Sequence, residues 1–156
     1  MQNNKKDIET KFQNKIQKYC AIEERCEFDV KKKLSQWGVT ENFSRSIITD
    51  LIKNKFLDEE RFAKMFCEVK FRTRKWGRIK IIHELKRKYI SEINIHNGLT
   101  VINKSDYIET LKESLQKKSE SIKEIHPLKK KQKIVNFLLQ RGFESNLIWD
   151  YIDIYK

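Results

Sequence analysis

Apolar residues along this chain recur at helical spacing and do not alternate for long. Phe62, Met65, Phe66 and Val69 stand at i, i+3, i+4 and i+7, and the period continues through Thr73 to Trp76, which predicts one buried helical stripe. Gly77 interrupts it. Ile81, Ile82 and Leu85 then begin a second stripe whose opposite face carries Lys80, His83, Glu84 and Arg87. The local order is helix, short break, helix.

The same pattern occurs three times. The segments KKKLSQWGVTENFSRSIITDLI from Lys31, IIHELKRKYISEINIHNGLTVI from Ile81 and IVNFLLQRGFESNLIWDYIDIY from Ile134 each read as a helix, a tight corner and a helix. Leu34, Leu85 and Leu138 precede the corner, and Val39, Ile90 and Phe143 follow it. Gly38, Tyr89 and Gly142 occupy the corner itself. Glycine suits a left-handed residue past a helix end because it has no Cβ, so Tyr89 is expected to distort its corner or to end its helix differently. Thr40, Ser91 and Glu144 or Ser145 supply helix-start chemistry.

Ahead of each pair lies another amphipathic segment: Ile8, Phe12, Ile16, Tyr19 and Cys20; the Phe62 stripe; and Tyr107, Ile108, Leu111, Leu115 and Ile122. The expected fold is all-α, three tandem three-helix repeats forming an elongated, curved array with boundaries at 1–57, 58–103 and 104–156. Units this small help to cover one another. Leu57 predicts close docking at the first joint, and the polar run Asn103, Lys104 and Ser105 predicts the looser joint at the second.

Composition supports helices over sheets. Four glycines and one proline are too few for the turns of an all-β fold, and 38% apolar against 36% charged residues suits helices that each bury one side. The start, MQNNKKDIETK, lacks an apolar targeting core, and no stretch reaches bilayer-spanning length, so a soluble cytoplasmic protein is expected. Cys20, Cys26 and Cys67 have neither CxxC spacing nor a histidine pattern, which fits reduced thiols and no metal. No long heptad argues for a coiled-coil oligomer, and a monomer is expected.

The net charge of +12 is concentrated. Between Glu68 and Lys88 stand Lys70, Arg72, Arg74, Lys75, Arg78, Lys80, Lys86, Arg87 and Lys88, opposed only by Glu68 and Glu84. A polyanion or an acidic groove is the natural partner of such a surface, and a solvated helix face is the plain alternative. Phe71 lies off the Phe62 stripe by helical angle, so it is either an exposed contact anchor or a side chain covered by a neighbouring helix. A second run, Lys117, Lys118, Lys123, Lys129, Lys130, Lys131 and Lys133, includes the start of a helix announced by Pro127. Cations there oppose the helix dipole, a conflict that a bound anion or acidic side chain relieves.

Reaction chemistry has no support in the sequence. There is no GxxxxGK[ST] or GxGxxG, and His83, His96 and His126 are scattered, with His83-Glu84 lacking the second histidine of a zinc helix. Asp58, Glu59 and Glu60 read as helix-start residues. No enzyme activity and no cofactor are expected.

The middle segment, Leu57-Asp58-Glu59-Glu60-Arg61-Phe62-Ala63 followed by Lys75-Trp76-Gly77-Arg78-Ile79-Lys80-Ile81 and Glu84-Leu85, resembles the signature of the RecX family of recombination regulators. Cys20-Ala21, Glu24-Arg25-Cys26, Val30 to Leu34 and Trp37-Gly38 extend the likeness into the first repeat, while the third matches by pattern. Departures fall at Tyr89 and Lys55, where glycine is usual, and at Lys70, where arginine is common. The resemblance implies a non-enzymatic protein that lies in the groove of the RecA–DNA filament and restrains its recombinase, ATPase and coprotease activities. On that reading Lys70, Arg72, Arg74, Lys75, Arg78, Lys80 and Arg87 make the main electrostatic contacts, with Lys129, Lys130 and Lys131 as a second foothold. The alternative is a basic helix-turn-helix-like nucleic-acid module acting without RecA, although no helix presents a clear Asn, Gln and Arg recognition set. Non-specific DNA contact is compatible with either reading.

Overall fold

A computed structural model describes residues 1–153; the end of the third expected repeat, 154–156, lies outside them. The described residues form nine α-helices in three successive triplets. The first triplet is α1 (Gln2–Ile22), α2 (Glu27–Gln36) and α3 (Glu41–Lys53). The second is α4 (Glu59–Arg74), α5 (Arg78–Arg87) and α6 (Glu92–Leu99), and the third is α7 (Lys104–Ser121), α8 (Pro127–Gln140) and α9 (Ser145–Ile152). The fold is therefore all-α, built from tandem helical repeats. It is also open: the accessible surface is 10727 Å², where a compact monomer of 18.9 kDa exposes about 8,300 Å².

One backbone device makes the repeat. After α2, α3, α5 and α8, a residue with positive φ (Gly38 77°, Lys55 61°, Tyr89 59°, Gly142 92°) reverses the chain. At each corner the next amide bonds back to a leucine carbonyl: Val39 to Leu34 at 3.0 Å, Phe56 to Leu51 at 2.8 Å, Ile90 to Leu85 at 3.1 Å and Phe143 to Leu138 at 3.1 Å. The left-handed residue itself donates to the carbonyl three positions earlier, completing the Schellman arrangement. This explains the recurring Leu-to-apolar spacing, since both side chains face the core across the corner. Tyr89 neither distorts its corner nor ends its helix differently. It adopts the glycine conformation at a cost of about 1–2 kcal/mol, with its ring 81% exposed and 5.9 Å from that of Phe28.

The stripe on α4 differs from the expected one. Phe62 and Phe66 are buried and Met65 partly so, but Val69 and Thr73 face solvent, and Ala63, Cys67 and Phe71 are buried instead. The cause is α6, which crosses α4 so closely that a Cβ on Gly98 would meet the Ala63 backbone at 2.9 Å. That contact buries Ala63, and Phe71, two turns further along the same row, is covered by Tyr107 of α7. Helix α4 then stops at Lys75, whose left-handed φ of 56° turns Trp76 back against Phe66, with ring centroids 6.4 Å apart.

Two hydrophobic cores result. Ile16, Val30, Leu34, Ile47 and Leu51 fill the first, and a single continuous core runs through the second and third triplets from Phe62 to Ile152, with Cys26 reaching in from the first. The expectation of a looser joint at Asn103 is overturned. Asn103 is polar because it caps α7, its Oδ1 accepting from the Ser105 amide at 2.7 Å, while Tyr107 one turn later is fully buried between Phe71 and Phe143. The first triplet meets the second through polar contacts as well: Arg61 to Glu24 at 2.6 Å and Lys88 to Asp29 at 2.6 Å.

Candidate partner-binding surface

The basic segment straddles the break between α4 and α5. Lys70 and Lys80 both place ammonium groups over the Trp76 ring, at 5.1 and 4.6 Å from its centroid, so the indole gathers cations from both helices. Arg72 and Arg87 are exposed and paired along their own helices, with Glu68 at 3.1 Å and Glu84 at 3.4 Å, contacts that water leaves weak and exchangeable. Arg74 and Lys75 are exposed at the end of α4.

Arg78 has a different environment. Its backbone amide donates to the Tyr107 hydroxyl at 3.0 Å, its guanidinium lies 3.8 Å from the centre of that ring, and it pairs with Glu144 at 3.4 Å. The Tyr107 hydroxyl in turn donates to Glu144 at 2.7 Å. Burial, together with the neighbouring carboxylate, pushes the phenol well above its usual range, so it remains a donor. The amides of Gly77 and Ile79 donate to the carbonyls of Arg141 at 2.7 Å and Gly142 at 3.0 Å. The start of α5 is thus capped by the third triplet, and Arg78 belongs to that internal seam as much as to the surface.

The second foothold is mixed. Pro127 opens α8, as its position predicts, and Lys129 is exposed in the first turn. Lys131 bonds Asp153 at 2.8 Å and lies 5.2 Å from the centre of the Trp149 ring. Lys130 and Lys131 edge an apolar recess of about 620 Å³ with Ile125, Leu128, Ile134 and Ile152. Phe71 is 8% exposed and stacked on Tyr107 at 5.9 Å, which selects the covered alternative and removes it as an exposed anchor.

The fold also assembles cations the linear reading kept apart. Lys75 from the second triplet meets Lys117, Lys118 and Arg141 from the third around a cleft of about 350 Å³. Arg141 was absent from the expected set because it stands alone in sequence; its place just before the left-handed Gly142 is the only local signal.

Other chemistry is sparse. Burial pushes the thiol of Cys20 up to about 11 and those of Cys26 and Cys67 up to about 12, which leaves them protonated and unreactive at neutral pH. Among the described residues no group of three or more His, Cys, Asp or Glu side chains could hold a metal ion, and no helix is long and apolar enough to cross a membrane.

Comparison with known proteins agrees with this architecture. Residues 58–99 match the family model for the second three-helix domain of RecX, and residues 105–152 match that for the third. Regulatory protein RecX of Clostridium acetobutylicum is 32% identical over 132 residues, covering 82% of this chain and 61% of the relative. That of Halalkalibacterium halodurans is 28% identical over 130 residues, covering 83% and 49%. The chain thus spans about half to three-fifths of the length of these curated relatives. A crystal structure of regulatory protein RecX superposes with a TM-score of 0.87 at 23% identity, over 96% of this chain and 75% of that one, a likeness of fold. Three successive helical triplets, the second and third of them matched by the family models for the second and third RecX domains, place this chain in the RecX family.

Proposed function

We propose that this protein lies in the groove of the RecA–DNA filament and inhibits the recombinase, ATPase and coprotease activities of RecA. It acts in the cytoplasm by occupancy, without catalysis. The observation that carries this reading is the combination of RecX-family membership with an open array bearing a cationic ridge at its centre. An open array of small units, 1–57, 58–103 and 104–156, can touch successive filament subunits, and weak contacts along one chain add through effective concentration. Exposed Arg72, Arg74, Lys75 and Arg87, with Lys70 and Lys80 beside Trp76, supply the central electrostatic contact. Arg78 holds the seam that positions them, and Lys129, Lys130 and Lys131 form a second contact.

The test is RecA ATPase on single-stranded DNA at fixed salt, comparing the protein with a triple variant, Arg72→Glu, Arg74→Glu and Lys75→Glu, of matched helicity. Loss of inhibition is expected. Undiminished inhibition by the variant would refute the assignment of the ridge, and no inhibition by the unmodified protein would refute the RecA reading.

A further inference from the structure

Ser114, Lys117, Lys118 and Ser121 stand at i, i+3, i+4 and i+7 on α7, so they form one stripe, and all four line the cleft that Lys75 and Arg141 close from the other side. We propose that this cleft binds the sugar-phosphate backbone of a single nucleic-acid strand, directly and without RecA.

Three observations carry the proposal. First, the cleft is lined by three ammonium groups, one guanidinium and the hydroxyls of Ser114 and Ser121, the latter donating to the Lys118 carbonyl at 2.8 Å, with no carboxylate among them. Among the described residues none of its four cations is ion-paired, in contrast to Arg72, Arg78, Arg87 and Lys131 elsewhere. Second, Arg141 is already fixed for binding: its guanidinium donates to the Arg74 carbonyl at 2.7 Å and rests 5.0 Å from the centre of the Phe137 ring. Lys118 lies 4.7 Å from the same ring. Part of the ordering cost of these side chains is therefore met before a ligand arrives. Third, the α7 stripe runs for about 10 Å, seven residues at the helical rise. A nucleic-acid strand offers a charge at every residue over such a length, whereas a protein would need a dense acidic run. The half-buried Phe137 gives the cleft an apolar floor suited to sugar and base.

Fluorescence anisotropy of a labelled oligothymidylate with the whole chain, in the absence of RecA, tests the cleft apart from the filament reading. The double variant Lys117→Gln, Lys118→Gln is compared with Lys5→Gln, Lys6→Gln, which removes equal charge from exposed positions of α1. The cleft variant is expected to bind about tenfold more weakly and to lower the salt slope by about 1.4, two phosphates at the single-strand value. The control is expected to lose less than about threefold, as a change in general charge alone would produce. Because Lys118 packs on Phe137, the exposed Ser121→Asp supplies a second probe and should also weaken binding. Equal losses in the two double variants, full affinity in Ser121→Asp, absence of oligothymidylate binding, or displacement by poly-glutamate at equal charge concentration would each overturn the proposal.

Discussion

The backbones of Gly77 and Gly142 are in direct contact, so close that a Cβ on Gly77 would lie 2.2 Å from the Gly142 carbonyl oxygen. In the other direction, a Cβ on Gly142 would fall 2.3 Å from that of Lys80. The contact exists because the first amides of α5 need acceptors and the corner after α8 has free carbonyls to offer. It fixes the angle at which the second triplet meets the third, and with it the cleft that both line.

Gly77→Ala should therefore destabilise the protein by about 1–3 kcal/mol through overpacking against backbone that cannot yield. Gly142→Ala should cost more, since it adds left-handed strain at φ 92° to a comparable clash. Gly38→Ala is the control: φ is 77° but nothing lies within 4 Å of the added carbon, so about 1 kcal/mol of strain is expected. Urea midpoints in the order Gly38→Ala, Gly77→Ala, Gly142→Ala, from highest to lowest, are the expected result.

Lys55 invites the opposite change. It is exposed at φ 61°, and its corner hydrogen bonds are all made by backbone atoms that glycine keeps. Relief of left-handed strain, less the added freedom of the unfolded chain, should make Lys55→Gly more stable by about 0.5–1 kcal/mol. A rise in the thermal midpoint of about 1–4 °C would register it.

Asp29 links stability to pH. Burial opposes its charge, but hydrogen bonds from Lys88 and Cys26 outweigh that penalty and hold the carboxyl below its ordinary 3.8. The folded state thus gains from ionised Asp29 at any pH above about 3.8, and the gain disappears as pH falls through the lower folded value. Asp29→Asn should cost about 1–3 kcal/mol near neutrality, because Lys88 is left half-buried beside a neutral group. The difference between the two proteins should shrink when unfolding is repeated at about pH 3.

Phe71 separates packing from recognition. It lies within the basic segment but is covered by Tyr107, so Phe71→Ala should cost about 3–5 kcal/mol. The milder Phe71→Leu should remain folded with a lower urea midpoint, and at concentrations where it is folded its effect on RecA ATPase should be unchanged. A loss of that effect at full helicity would return Phe71 to the contact surface.

Periodicity and spacing alone determined that the chain is helical, that it repeats, and where the corners at Gly38, Tyr89 and Gly142 fall. Leu34, Leu85 and Leu138, each followed five positions later by an apolar residue, encode a local backbone motif whose hydrogen bonds close within six residues. The same locality made the cation-rich segment and the Pro127 helix start readable. Which face of α4 is buried was decided by Gly98 pressing on Ala63, and the fate of Phe71 and Arg78 by Tyr107 and Glu144 from the third triplet. The cleft required Lys75 and Arg141 to meet across the Gly77–Gly142 contact. A linear pattern records how each residue relates to its own turn of helix. The pairing of charges and the closeness of two backbones depend on how separate helices cross, which only the assembled structure specifies.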